Sequence, residues 1–334
     1  MLDIRVKGES VIRQFVSGIA VAFIVAICGQ SPCALAQTYP SKPIHLVVSF
    51  VPGGPTDVIG RLLAQELSER LGQSVVVENR GGAGGNIAAK YVAGIAPDGY
   101  TLLVTTSALA VNETLYRDPG YQLPRDFTAI ALVAWSPNVL VISPSVPANN
   151  LQEFIRDSKG KRVSYATAGI GTTPHLTGDQ LLRVLAGLDA VDVPYQGAAP
   201  AIAAVMGNHV TLASVTLPPA LADIKAGKLK ALAITTLERV DLLPDLPTVA
   251  ESGFPGFESY IWVGLLGPAN LAPAIVSKVN AAVNDALRSN KVRENLSATG
   301  FEAKPGTPAQ FDTYIRQEVV KWGKLVRDTG IVPQ

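Results

Sequence analysis

Apolar residues along this chain come in short continuous runs that alternate with stretches where they recur every three or four positions. Ile44–Phe50 and Thr101–Thr105 are runs of the first kind, as expected of strands covered on both faces. Between them Val58, Ile59, Leu62, Leu63, Leu67 and Leu71 share one helical face. They predict a helix from Asp57 to Leu71, capped by Thr56 or Asp57 and ended by Gly72. Ser74–Glu78 reads as a strand and Asn86–Val92 as a helix. The alternation returns later. Arg162–Ala166, Val191–Pro194 and Leu229–Thr235 read as strands. Pro174–Ala186 and the segment ending at Met206 read as helices. Strand–loop–helix repetition predicts parallel, doubly wound sheets.

Two sets of such units imply two lobes. Ser136–Pro147, strand-like but holding three prolines, and Ser259–Gly267 are the expected crossings between them. Pro273–Val326 reads as mostly amphipathic helix. The expected layout is lobe 1 over 37–138, lobe 2 over 139–260 and a return to lobe 1 with C-terminal helices over 261–334. Two connecting segments make a hinge.

The first 36 residues have a different pattern. Arg5, Lys7 and Arg13 precede an apolar stretch from Val16 to Gly29, and Ala34-Leu35-Ala36 follows. This is the layout of a signal peptide cut before Gln37. Both cysteines, Cys28 and Cys33, fall inside it, so the mature chain is expected to hold no disulfide, thiol nucleophile or thiolate metal site. Beyond it no apolar run is long enough to span a bilayer.

The 334 residues are 48% hydrophobic and 16% charged, a folded composition with net charge +1. Such a balance favours neither nucleic acid nor an anionic membrane surface. An anionic partner must be attracted by local geometry.

That geometry is supplied by glycine loops that enter helices: Pro52–Thr56 and Gly81–Gly85 in the first lobe, Gly169–Thr173 and Tyr195–Gly197 in the second. Helix starts offer free N–H groups and partial positive charge, and glycine lets a solute approach the backbone. Four such ends facing one cleft can hold a carboxylate without Lys or Arg. The hydroxyls of Thr56, Ser107, Thr172, Thr173 and Thr216 are candidate further donors.

Sharper chemistry is not signalled. Gly169-Ile170-Gly171 has Pro174 where a dinucleotide fingerprint needs its third glycine, so no cofactor is expected. His45, His175 and His209 form no metal-ligand spacing, and no metal is expected. His175 stands in the first turn of a helix beside the cleft. It keeps open an exported hydrolase as the alternative from another class, and a sensor subunit feeding a signalling partner is a third reading.

Several stretches carry a family likeness. Pro52-Gly53-Gly54 with Asp57, Val77–Asn86, Pro97–Leu102, Gly171-Thr172-Thr173 with His175-Leu176, Val193–Gly197 and Leu243–Glu251 resemble the Bug (TctC-like) substrate-binding proteins of tripartite tricarboxylate transporters. The resemblance spans the whole mature chain. It implies a type II periplasmic-binding-protein fold, two doubly wound lobes on a two-segment hinge. It implies a solute held in the interlobe cleft by backbone amides and water, with closure on binding. It also implies delivery to a membrane permease of one large and one small subunit, by a monomer. Carried onto this sequence, Gly54, Thr56 and Asp57, Gly84, Gly85 and Asn86, and Thr106 and Ser107 would line the cleft, with Gly171, Thr172, Thr173 and His175, and Tyr195, Gln196 and Gly197. The chain departs from the family's usual pattern at Ile170 and at Ser214–Pro219, and both places are expected to face the solute.

Overall fold

The computed structural model describes residues 39–329. The signal peptide and its cleavage point lie outside the described residues. From Lys42 onward the chain forms one compact unit.

Strands β1 (Ile44–Val48), β2 (Val75–Asn79) and β3 (Thr101–Thr106) run parallel in the order β2-β1-β3. Each is joined to the next by a helix: α1 (Pro55–Leu71) and then α2 (Asn86–Ala93). Pro55 sits in the first turn of α1, where its missing N–H costs nothing, and Gly72 ends the helix in the left-handed conformation. The helix therefore starts two residues before the sequence pattern places it. After β3, α3 (Ala108–Leu115) begins immediately; its apolar residues are buried on every side, which hides the helical period from a sequence reading.

β4 (Phe127–Ile142) then runs for 16 residues and belongs to both lobes. Its residues Phe127–Pro137 pair antiparallel with β9 (Tyr260–Pro268), which in turn pairs antiparallel with β3. From Asn138 to Ile142 it pairs instead with β7 (Leu212–Thr216) and β8 (Lys230–Ile234). Pro137 stands where the partners change, a position at which a missing ladder N–H does least harm. The prolines at 144 and 147 lie past the strand's end, so the predicted Ser136–Pro147 crossing is the tail of a much longer strand.

Beyond β4 come α4 (Leu151–Ser158), β5 (Arg162–Thr167), α5 (Thr173–Gly178), β6 (Asp189–Pro194) and α6 (Ala198–Met206). α5 widens directly into a π-helical turn, Asp179–Leu185, where the sequence pattern shows one uninterrupted helix. β7, β5 and β6 are parallel neighbours, and α7 (Leu217–Lys225) follows β7. Helices α8 (Pro273–Arg288), α9 (Asn290–Ala298) and α10 (Pro308–Thr329) complete the described chain, with the short β10 (Glu302–Ala303) against β4.

The core divides with the sheet. One cluster, holding Val47, Leu103, Trp262, Phe311 and Trp322, fills the first lobe beneath α3 and α10. Both indole N–H groups there donate to the buried carboxylate of Glu318, at 3.0 Å from Trp262 and 2.6 Å from Trp322. Two further clusters cover the faces of the second lobe's sheet. Leu176 and Ile170 belong by sequence to the second lobe yet pack into the first lobe's cluster.

A polar pin joins the crossings. Thr235 Oγ1 donates to Asn138 O and Ser259 O, at 3.1 and 2.5 Å, and accepts from Asn138 N–H at 2.9 Å. Asn138 Nδ2 donates to Thr177 Oγ1 and Ser259 Oγ, at 3.0 and 3.1 Å. Thr177 lies on α5, so the pin reaches a helix whose start faces the cleft.

Candidate functional site

Strand ends and helix starts from both lobes meet around a cleft of two connected chambers. The inner chamber has a volume of about 100 Å³. From the first lobe Gly54, Pro55, Thr56 and Thr106 line it, and from the second Thr172, Thr173, Pro174, Gly197, Ala198 and Thr216. The outer chamber is about 340 Å³ and is lined by the Gly82–Gly85 turn, Tyr116, Gly169, Ile170 and Pro194–Gly197. Phe50, Val51, Ala168, Thr172 and Gly197 border both. Among the described residues that line either chamber, none is charged.

Four helix starts surround the inner chamber, and none has its first turn closed by its own cap side chain. The cap residues are Gly54 for α1, Thr172 for α5, Gly197 for α6 and Thr216 for α7. First-turn N–H groups have no partner within their helix. Those of α1 and α6 therefore point at the chamber from opposite lobes. Proline stands in the first turn of all four, Pro55 in α1, Pro174 in α5, Pro200 in α6 and Pro218 and Pro219 in α7, so the donors left are the N–H groups of the other first-turn residues. Thr173 Oγ1 is buried without a hydrogen-bond partner.

The loops are braced from behind. Asp57 Oδ2 accepts from Gly53 N–H and Arg61 Nε, both at 2.9 Å, and Asp57 Oδ1 accepts from Asn79 Nδ2 at 2.9 Å. Asn79 also donates to Phe50 O at 2.9 Å, which ties the chamber wall to the same carboxylate. Burial alone would raise the Asp57 pKa, but these donors outweigh it and hold the carboxyl below its usual range.

In the second lobe, Gly171 N–H donates to His175 Nδ1 at 3.4 Å, which leaves the proton of the neutral ring on Nε2. That nitrogen lies 3.7 Å from Asp192 Oδ2 and 3.9 Å from Asp179 Oδ2. Tyr165 OH and Arg183 donate to Asp179, and Thr167 Oγ1 donates to Asp192 at 2.8 Å. Burial holds the His175 pKa below its ordinary value against the pull of Asp179. Burial also pushes Asp192 up to about 6, with the hydrogen bond from Thr167 opposing and the charge of Asp179 adding.

The lobes also meet at a glycine, beside the packing of Ile170 and Leu176 on the first lobe's core. Gly171 has φ +81°, and a Cβ there would lie 2.8 Å from both Asn112 Oδ1 and Leu115 Cδ2 of α3. Asn112 Nδ2 in turn donates to Gly84 O at 3.0 Å, so one side chain spans the glycine loops of both lobes.

The family described as tripartite tricarboxylate transporter family receptor, TctC, matches residues 59–331. The chain belongs to this family. It is 36% identical over 314 residues to BugT of Bordetella pertussis, covering 93% of this chain and 96% of that protein. An R. palustris protein solved with adipate is 34% identical with TM-score 0.84, covering 89% of this chain and all, 100%, of the other. MatC from Rhodopseudomonas palustris, solved with bound malate, is 33% identical with TM-score 0.79, covering 86% and 100%. The two-lobed periplasmic-binding fold of such proteins is the fold of this chain.

In this TctC-family chain, Gly54, Thr56, Thr106, Thr172, Thr173, Gly197 and Thr216 line the inner chamber. Gly84, Gly85, Tyr195 and Gln196 line the outer one. Asp57, Asn86, Ser107, Gly171 and His175 are not among the lining residues. Asp57, Gly171 and His175 serve the braces and the lobe contact. Asn86 Oδ1 accepts from Asn112 and Tyr121, at 2.8 and 2.9 Å. Ser107 is fully buried at the start of α3, with its N–H donated to Trp262 O at 3.3 Å. Of the family departures, Ile170 and Thr216 face the cleft, while Ser214 Oγ donates to Pro174 O at 2.8 Å. The sequence reading missed the apolar walls. Phe50 and Val51 adjoin a glycine loop and were in reach of it, but Tyr116 and Ile261 arrive from α3 and β9 with no loop signal.

Proposed function

We propose that this chain is exported to the periplasm, captures a small organic carboxylate between its lobes and presents it to a two-subunit membrane permease without acting on it chemically. The observation that carries this reading is an uncharged inner chamber onto which α1 and α6 open from opposite lobes, ringed by five threonines, Thr56, Thr106, Thr172, Thr173 and Thr216. Each helix start brings free N–H groups and about half a positive charge. That is a seat for an anion needing no side-chain cation. The adipate and malate held by relatives are carboxylates, which supports the same chemistry here.

In this reading the inner-chamber residues touch the solute head, and Gly84, Gly85, Tyr195 and Gln196 face the rest of it. Asp57, Asn86, Ser107, Gly171 and His175 hold the loops that do so. Closure bends the chain at 138–139 and 260–261, the signal peptide 1–36 is removed before Gln37, and the receptor works as a monomer. His175 lies behind the lining with Nδ1 engaged, so no observation favours the hydrolase alternative.

Thermal unfolding of the purified mature protein against a panel of organic acids tests the proposal. An acid at a hundred times its dissociation constant adds about 2.7 kcal/mol of stability. A panel that leaves the transition unmoved, with the protein folded and monomeric, removes the receptor reading. Turnover of a bound acid would replace it with the enzyme.

A further inference from the structure

The crossing strands have a cavity on their other side. In β9, Ile261 lines the inner chamber while its neighbour Tyr260 lines a separate space of about 270 Å³. Successive residues of a strand point to opposite sides of the sheet, so this space lies behind the crossings, away from the cleft. The step from Thr216 to Leu217 divides in the same way. Pro137 and Tyr260, the last rung of the β4–β9 ladder before β4 changes partners, form its floor.

The walls belong to different lobes. Leu217, Val240 and Leu242 pack with a core cluster of the second lobe, and Asp241 stands among them. Opposite are Ser297 of α9, Gly300 and Phe301, on the segment that β10 ties to Trp135 of β4. Ser136 Oγ donates to Gly300 O at 2.8 Å and anchors that wall to β4. The walls come together at Gly300, where a Cβ would lie 3.4 Å from Leu217 Cδ2. Farther out they diverge, and Leu242, Ser297 and Phe301 also border a groove of about 760 Å³.

Rotation of the lobes about the rung opens one face as it closes the other. Shutting the cleft widens the rear cavity, and opening the cleft drives the Leu217–Leu242 wall toward α9. Packed side chains do not compress, so bulk in the cavity resists opening. A solute that binds the closed form has an apparent affinity in proportion to the closed fraction.

We propose that the rear cavity sets solute affinity from outside the site: the bulk that Asp241, Leu242 and Ser297 place in it fixes how far the solute-free lobes stand closed. This rests on the receptor reading above for closure itself. Asp241 and Ser297 are exposed, one on each wall, so bulk can be added at either without disturbing the fold. Nitroxide labels on Gln65→Cys in α1 and Ala203→Cys in α6, both exposed, report lobe separation by pulsed electron resonance in the mature chain, 37–334, whose sequence holds no cysteine. Without solute, Ser297→Trp and Asp241→Trp should each move the separation to shorter values. Each should also tighten malate or adipate about three-fold or more, by the factor by which the closed fraction rises. Lys291→Trp, on α9 but lining neither cavity nor groove, should do neither. An unmoved or longer separation in both filled variants, the same movement in Lys291→Trp, or a shorter separation with unchanged affinity overturns the proposal. Filled variants that close while neither acid binds or shortens the wild-type separation count instead against the carboxylate receptor and leave the rear cavity's hold on the hinge in place.

Discussion

The first lobe braces its glycine loop with an ionised carboxylate surrounded by donors, whereas the second braces its own with an imidazole set between two carboxylates. Asp57 gathers Gly53, Arg61 and Asn79, and its pKa is lowered in spite of burial. His175 holds Gly171 while facing Asp179 and Asp192, and there burial wins, lowering the histidine and raising Asp192 to about 6. Both devices fix a loop that carries no charge into the cleft. They differ in what a proton does to them. Asp57 contributes stability that is complete above its unfolded pKa and lost only as pH falls through its lower folded value, so it is constant around neutrality. The second brace titrates just below neutrality.

The largest effect expected from breaking this contrast is at Asp57. Asp57→Ala strands Gly53 N–H and Asn79 Nδ2 and should cost about 3 kcal/mol, since hydrogen bonds to charged groups are worth about 1.5–3 kcal/mol each. Chemical denaturation should return the same loss at pH 6 and pH 8. A loss that varies across that interval would place the Asp57 titration elsewhere.

Next comes the contact between the lobes at Gly171. Gly171→Ala puts a methyl group 2.8 Å from Asn112 and Leu115 at φ +81°. The left-handed backbone costs about 1 kcal/mol and the overlap about as much again. Gly187→Ala is the control, because Gly187 has φ +64° with nothing within 4 Å. Gly171→Ala should be about 1 kcal/mol worse than the control and should weaken solute binding by holding the lobes apart. Equal losses at the two sites would mean that the contact yields freely.

Asp192→Asn probes the second brace through pH. A carboxyl at about 6 when folded and 3.8 when unfolded keeps its proton longer in the native state. Its contribution therefore falls as pH rises from 3.8 to about 6, by about 2 kcal/mol. His175 works in the opposite sense: its folded pKa is lowered, so stability is lost as pH drops below 6.5. Against the Asn variant, the wild type should gain about 2 kcal/mol between pH 7 and pH 4. Parallel stability curves for the two proteins would remove Asp192 from the account.

The contrast also explains what was legible in the sequence. The loops at Gly54, Thr172 and Gly197 stand at the cleft as read, because a strand end, a glycine and a helix start are local events. Strands β1 and β3 show as apolar runs for the same reason. The bracing roles of Asp57, Asn86 and His175 were not legible. A polar side chain in a helix's first turn can face the solute or the backbone behind it, and only the tertiary partners decide. For Asp57 those include Asn79, 22 residues away; for His175 they include Asp192. Asn112 carried no signal at all. It lies in α3, whose buried sides give no amphipathic period, and its importance comes from Gly84 and Gly171 meeting it in space.

The smallest expected effect is the most discriminating. Arg61 and Arg183 both pair with a buried carboxylate four residues away on their own helix, and their side chains are 58% and 44% exposed. Solvent screens such pairs, so replacing either by alanine should cost under about 1 kcal/mol. Stability measurements alone will not separate them. The difference lies in the neighbour. The charge of Arg183 presses the His175 pKa down, and no imidazole stands among the hydrogen-bond partners of Asp57. Arg183→Ala should thus move the His175 titration upward, read from its ring signals by NMR with His45 and His209 as internal references, while Arg61→Ala leaves it in place. An unmoved His175 in the Arg183 variant would mean that burial and Asp179 set its protonation without Arg183. The second brace would then be a closed three-residue unit with no handle at the surface.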